Sequence, residues 1–160
     1  MGLMRMDITD YKLLELIQKK GDLPLSDLAK RLKIAKTSCW NRIRKLEEQG
    51  AIKGRYTILN RFALGLPVVV FLSITVRRHS ATWVDQFSSI ISQYSEITEV
   101  YRVTGEGSDY QLKIVCASIE DYDRIQQELI SKIEFNTMNT RVTLQELKHT
   151  HALPVPNINN

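Results

Sequence analysis

Little in this sequence invites redox or metal chemistry. Its two cysteines, Cys39 and Cys116, lie 77 positions apart and neither belongs to a Cys-x-x-Cys pair, so free thiols are expected rather than a metal site or a disulfide framework. Long hydrophobic runs are missing too. The longest charge-free stretch, Phe62 to Val76, has fifteen residues and is interrupted by Pro67, against about 20 for a spanning helix. The start, Met1 to Asp10, carries Arg5, Asp7 and Asp10 instead of an apolar block before a small-residue cleavage site. No secretory leader is read there, and a cytoplasmic location is expected. With 160 residues, 43% of them hydrophobic and 25% charged, the chain can bury one sizeable core or two small ones, which excludes a disordered tail.

The charge is unevenly placed. Residues 1–60 hold 13 Lys/Arg against 7 Asp/Glu, a net of +6, while residues 61–160 hold 9 against 11, a net of −2. An N-terminal module that meets a polyanion, followed by a part with another task, is the arrangement this suggests.

In the basic third, Asp7 precedes a segment to Lys20 in which Ile8, Tyr11, Leu14 and Ile17 recur at helical spacing, with Asp7 as N-cap and Gly21 at the stop. Leu25, Leu28, Ala29 and Leu32 mark a second, shorter helix after Pro24. The link Lys33-Ile34-Ala35-Lys36 leads to a third helix from Thr37 to Gln49, ended by Gly50. One arc of it carries Cys39, Trp40, Ile43 and Leu46; the other carries Thr37, Ser38, Asn41, Lys45 and Glu48, flanked by Arg42 and Arg44. Two short helices with a tight link, the second bearing a polar and basic face, make a helix-turn-helix whose second helix fits the major groove. The same face would also suit the solvated side of an ordinary three-helix bundle. Ile52 to Ile58 alternates apolar and basic residues and predicts a wing strand, with Lys53 and Arg55 on one face, available to phosphate or serving to protect an edge. The candidate DNA-contacting set is Lys36, Thr37, Ser38, Asn41, Arg42, Arg44, Lys45, Lys53 and Arg55.

The remaining residues read strand, helix, strand, strand, helix, strand. Leu66 to Val76 is a β-branched run with Val68, Val70, Leu72, Ile74 and Val76 on one face and Val69 and Phe71 on the other. Thr82 and Asp85 predict a capping box for a helix with the stripe Trp83, Phe87, Ile90, Ile91 and Tyr94. Ile97 to Thr104 and Tyr110 to Cys116 are strands joined across Gly105-Glu106-Gly107-Ser108-Asp109. Ser118 and Asp121 open a helix carrying Tyr122, Ile125, Leu129 and Ile133, and Thr137 to Leu147 is the last strand. This βαββαβ order predicts an α+β fold class: a winged helix-turn-helix plus a ferredoxin-like domain with two helices on one side of a four-stranded antiparallel sheet. The uncovered face, with Val69 and Phe71, predicts a partner surface, most simply a second copy. The expected organisation is 1–51 helix-turn-helix, 52–66 wing and linker, 67–152 ferredoxin-like domain and 153–160 tail.

The whole chain resembles the Lrp/AsnC family, the leucine-responsive or feast/famine regulators. The resemblance rests on Met6-Asp7-x-x-Asp10, Leu25-Ser26-x-Leu28-Ala29-Lys30-Arg31-Leu32, the block Thr37 to Glu47 with Gly50 and Ile52, Val103-Thr104-Gly105 leading to Asp109-Tyr110, and Glu146-Leu147-Lys148 with Leu153-Pro154. It implies a homodimer, assembling into octamers, that binds double-stranded DNA and senses an amino acid between C-terminal domains near the glycine-to-Asp-Tyr loop. The implied effector residues are Gly105, Glu106, Gly107, Ser108, Asp109 and Tyr110, and no cofactor or metal is implied. Three departures stand out. Ala35 replaces a usual Ser or Thr cap, worth about 1 kcal/mol. The loop before Asp109-Tyr110 is one residue longer, and Ile133-Glu134-Phe135-Asn136 replaces a Leu-Pro-Gly-Val turn. On the loop's own residues, a hairpin whose glycines only make the turn and whose Asp109 caps it is an equal reading.

Enzyme readings find less support. His149 and His151 would share a strand face, but no Cys, Asp or Glu lies within two positions of either to complete a metal site. Arg77-Arg78-His79 lacks the glycines of a phosphate loop, and Cys39 falls toward the buried arc without an adjacent base. Distant relatives of the family are tetrapyrrole decarboxylases that use histidine and arginine; here the corresponding strand has Tyr101 and Arg102 without a histidine. A ligand-binding module without DNA binding would need a neutralised third helix, and this one is basic.

Overall fold

The computed structural model describes residues 6–105 and 107–156. Arg5, in the stretch read for a leader, and Glu106, in the implied effector loop, lie outside the described residues. The chain forms two compact units. One takes the residues up to Ile58 and those from Lys148 onward, and the other takes Leu59–Leu147. Residues from Lys148 onward, expected to divide between the ferredoxin-like domain to 152 and a tail from 153, group with the N-terminal unit.

The first unit contains α1 (Ile8–Lys19), α2 (Leu25–Leu32) and α3 (Lys36–Glu48). Asp7 caps α1 in a reciprocal box: its Oδ1 accepts from the Asp10 backbone N–H at 2.9 Å, and Asp10 Oδ2 accepts from the Asp7 N–H at 3.1 Å. Lys33 adopts a left-handed conformation (φ 56°) at the end of α2, which makes the tight turn into α3. Leu13, Leu28, Ala29, Cys39, Ile43 and Leu46 form the core. Trp40 is not among them and is 51% exposed. Cys39, Ile43 and Leu46 lie within a narrow arc, and Trp40, a step of about 100° past Cys39, points off it. Of the α1 residues, Leu13 is fully buried, whereas Ile8 and Tyr11 line a cleft of about 420 Å³ roofed by Ala152–Pro156 of the chain's own tail.

The wing strand does not form. Residues 53–60 lie in no ladder, and Tyr56 and Ile58 are 86% and 69% exposed. Alternation gives a segment the propensity for a strand, yet a strand exists only with a neighbour to take its N–H and C=O groups. Among the described residues none lies alongside.

The second unit contains β1 (Val68–Thr75), α4 (Ala81–Ile91), β2 (Ile97–Arg102), β3 (Tyr110–Cys116), α5 (Ile119–Lys132) and β4 (Thr137–Val142). The sheet order is β2-β3-β1-β4, all antiparallel, which is the ferredoxin-like arrangement. Both helices pack on one face, where Val70, Leu72, Ile74, Leu112 and Ile114 meet Phe87, Ile90, Tyr122, Ile125 and Leu129. The cap of α4 is Ser80, whose Oγ accepts from the Trp83 N–H at 3.1 Å. Thr82 already sits inside the first turn and cannot serve. Ser118 caps α5 through the Asp121 N–H at 3.1 Å. β4 ends at Val142, five residues short of the predicted Leu147: its register with β1 stops at the Val70–Val142 pair, two residues short of the start of β1 at Val68, and past it the Thr143 N–H still reaches Val69 O, at 2.9 Å.

On the opposite face Phe71 is 39% exposed, but Val69 is buried, being flanked by Val115 on β3 and by Thr143. Ser73, also buried, donates to Gln111 Oε1 at 2.8 Å and accepts from Arg141 Nη1 at 3.2 Å.

Candidate functional site

The outer face of α3 is built by default: once Cys39, Ile43 and Leu46 face the core, helical geometry turns the intervening positions to solvent. Lys36, Thr37, Asn41, Arg44 and Lys45 are exposed, and Ser38 is half-buried. Thr37, Ser38, Asn41 and Lys45 line a concavity of about 670 Å³ together with Met6, Asp7, Asp10 and Arg42. Ala35, the N-cap of α3, offers no side-chain hydrogen bond, so the first-turn N–H groups remain available to solvent or an anion. Arg44 pairs with Glu48 at 3.3 Å and Arg55 with Glu47 at 3.9 Å, both on the surface where such pairs are weak. Lys53 is exposed on the segment beyond α3.

Arg42 is differently placed. Its Nη1 donates to Asp7 Oδ2 at 2.7 Å and to Asp10 Oδ1 at 2.6 Å, so it closes the capping box of α1. Slight desolvation pushes the Asp7 carboxyl up, but the Asp10 N–H and the guanidinium together hold it below the usual carboxylate range. The two carboxylates, Asp10 foremost, hold the guanidinium protonated. The sequence showed Asp7 and Asp10 as a helix start, but nothing in it joined them to a residue 32 positions on.

At the β2–β3 connection, Gly105 and Gly107 have φ of 138° and 79° and are exposed, a backbone that side-chain-bearing residues rarely adopt. Ser108 Oγ donates to Tyr110 O at 3.0 Å. Asp109 stitches this loop to the end of β1: its N–H donates to Ile74 O at 2.8 Å, its Oδ2 accepts from the Val76 N–H at 2.8 Å, and its Oδ1 lies 3.3 Å from His79 Nε2. The Val76 N–H, with His79, lowers its carboxyl below the ordinary range. Tyr110 belongs elsewhere, because β3 alternation turns it to the helix-covered face, where it is 95% buried beside Trp83, Phe87 and His79. Among the described residues its hydroxyl has no hydrogen-bond partner. In the sequence His79 stands out only as the end of Arg77-Arg78-His79, a run without phosphate-loop glycines; the fold brings it to Asp109, thirty residues away.

Among the described residues no group of three or more His, Cys, Asp or Glu could hold a metal ion, and no helix is long and apolar enough to cross a membrane. The rings of His149 and His151 do lie together, 4.6 Å apart.

Residues 69–153 match the model of the Lrp/AsnC ligand binding domain, and residues 6–53 match a winged helix-turn-helix DNA-binding model. The chain belongs to the Lrp/AsnC family. It is 36% identical over 152 residues to a glutamate uptake regulatory protein of Zymomonas mobilis, covering 95% of this chain and 92% of that one. It is 31% identical over 151 residues to a leucine-responsive regulatory protein of Klebsiella pneumoniae, covering 94% and 92%. An AsnC family transcriptional regulator from Agrobacterium tumefaciens superposes with a TM-score of 0.88 at 36% identity, over 93% of this chain and 97% of that one. A Neisseria meningitidis regulator solved as its L-Met complex superposes with a TM-score of 0.87 at 24% identity, over 94% and 97%, and shows the shared fold. The Lrp/AsnC chain described here is therefore a DNA-binding transcriptional regulator, with a helix-turn-helix and a ligand-binding domain.

Proposed function

We propose that α3 reads operator DNA in the major groove. Asn41 and Arg44 meet base edges, while Lys36, Lys45, Lys53 and Arg55, with the Thr37 and Ser38 hydroxyls, meet the phosphate backbone. The observation that carries this is the exposed polar and basic face of α3, set on a helix-turn-helix in which Cys39, Ile43 and Leu46 hold the helix to the core. Arg42, tied to Asp7 and Asp10, is withdrawn from the base-reading set. A triple Asn41/Arg44/Lys45→Ala protein, titrated by anisotropy against a duplex selected on the parent protein, loses specific binding; undiminished affinity sinks the reading.

A second copy, in this reading, covers the open sheet face around Phe71, so the regulator acts as a dimer on a pseudo-palindrome in the cytoplasm, and octamers follow if dimers associate. Light scattering should show no monomer at micromolar concentration, and Phe71→Glu should shift the size downward. The effector is an amino acid, as the names of the glutamate and leucine-responsive relatives support. Its carboxylate meets the amides of Gly105 and Gly107, and its ammonium meets Asp109 at the loop that also holds Glu106 and Ser108. Tyr110 backs this loop from the core without touching the ligand. Thermal shift against the twenty amino acids tests this, since a ligand at 100 times its Kd stabilises the native state by about 2.7 kcal/mol.

A further inference from the structure

The guanidinium of Arg42 stands where α3 meets the start of α1. One nitrogen, Nη1, spends its two hydrogens on two carboxylates that already hold each other's backbone N–H groups. Asp10 is 5% exposed, and a carboxylate so placed is tolerated only with a fixed counter-charge. The arrangement is therefore stiff at both ends.

α3 needs such a fixture. It starts at Ala35 without a side-chain cap, after a single left-handed residue, so no capping side chain fixes its first turn. Cys39, Ile43 and Leu46 hold one narrow arc to the core, with Ile34, Ala51 and Ile52 packed at its two ends, and Arg42 adds a charged tie to α1 on the flank of that arc. The same side forms the wall of the concavity lined by Thr37, Ser38, Asn41 and Lys45. A small rotation of α3 would move all four together, and hydrogen bonds to base edges tolerate little misplacement.

We propose that Arg42 is a positioning residue for operator reading, a strut that sets α3 against the capping box of α1, and that Asp7 and Asp10 belong to the reading machinery without touching DNA. This rests on the assignment of α3 as the recognition helix. Electrostatics gives the strut a signature opposite in sign to a direct contact. If Arg42 met a phosphate or a base, Asp10 would be a competitor for it and a like charge near DNA, so Asp10→Asn would strengthen binding. For a strut, Asp10→Asn removes the anchor and weakens specific binding as Arg42→Ala does.

The test uses the full-length chain and two probes: the duplex most enriched by selection on the parent protein, and a scrambled duplex of equal length and composition. Anisotropy titrations run across a salt series at 15 °C, where circular dichroism confirms each variant is folded. Arg42→Ala and Asp10→Asn should each lower affinity for the selected duplex at least tenfold, leaving the scrambled affinity and the salt slope unchanged. The double variant should be no worse than either single one. Asp7→Asn, which keeps a capping oxygen but not the charge, should show a smaller loss of the same sign, and remains informative if Arg42→Ala does not fold. Asp10→Asn binding as well as the parent or better overturns the strut, as does a salt slope reduced by about one in Arg42→Ala, the mark of a lost phosphate contact. A lowered melting temperature with the selected affinity unchanged reduces the triad to plain stability and also overturns it. Lys45→Ala separates the two levels: if it leaves both affinities and the slope unchanged, α3 is not the DNA-reading helix, whereas a strut that fails while Lys45→Ala weakens binding fails alone.

Discussion

The side-chain amide of Gln18 grips the peptide of Leu153 from both sides, its Nε2 donating to Leu153 O at 2.8 Å and its Oε1 accepting from the Leu153 N–H at 3.0 Å. This seats the C-terminal segment along α1, over Ile8 and Tyr11. Pro154 and Pro156 keep the segment extended, so little backbone freedom is lost on docking.

Removing that grip should free the tail without unfolding the helices. Two hydrogen bonds of about 0.5–1.5 kcal/mol each are at stake. Gln18→Ala should therefore speed exchange of the Leu153 amide about tenfold, equivalent to 1.4 kcal/mol, while the amides of α3 keep their protection. Equal exchange in parent and variant would show that the tail is held by its apolar contacts instead.

The hydroxyl of Tyr110 is buried with no partner among the described residues, and an unmet buried hydroxyl costs about 1–3 kcal/mol. Tyr110→Phe should accordingly raise the melting temperature, by about 2–4 °C for each kcal/mol recovered, and leave any amino-acid response intact. A fall in melting temperature would mean that the hydroxyl is hydrogen-bonded in the assembled protein.

Periodicity made most of this architecture legible: the stripes on α4 and α5, the β-branched run of β1 and the order of elements all follow from local spacing. What stayed hidden depends on where a neighbour lies. Residues 53–60 have the alternation of a strand and find no strand to pair with. Val69 has the spacing of an open-face residue and is buried between its neighbours Val115 and Thr143, whereas Phe71 on the same face is not. In the candidate site, the exposed residues of α3 followed from helical geometry, but Arg42 and Asp109 did not. Each carries a charge that the fold spends inside the chain, on Asp7 and Asp10 in one case and on the Val76 N–H and His79 in the other. Partners 32 to 35 and 30 to 33 positions away leave no local trace.

The Asp109 carboxylate ties the end of β1 to the hairpin, with its folded-state pKa below the ordinary value. A lowered carboxylate pKa contributes stability that is complete above the unfolded value of about 3.9 and is lost as pH falls through the lower folded value. Asp109→Asn should thus lower the urea midpoint at pH 7, and the gap to the parent should narrow only below about pH 4. A gap that persists unchanged to pH 2 would show that its charge is not what the loop uses.

Cys39 and Cys116 report on the two units separately, since each is buried in a different core, at 0% and 1% exposure. Burial pushes both thiols above their ordinary pKa, so neither should react with an alkylating reagent in the native state, because the thiolate is the nucleophile. Among the described residues the N-terminal core holds six buried hydrophobic side chains and the C-terminal core fourteen. A smaller core leaves less to oppose chain entropy, so the helical unit should open first. In a urea series, mass spectrometry of the alkylated peptides should find Cys39 modified at a lower midpoint than Cys116. Effector that binds only the C-terminal unit should raise the Cys116 midpoint directly, and should raise that of Cys39 only to the extent that the two units are energetically coupled. Coincident midpoints without effector would instead mean that the units unfold as one, with the coupling already complete in the free protein.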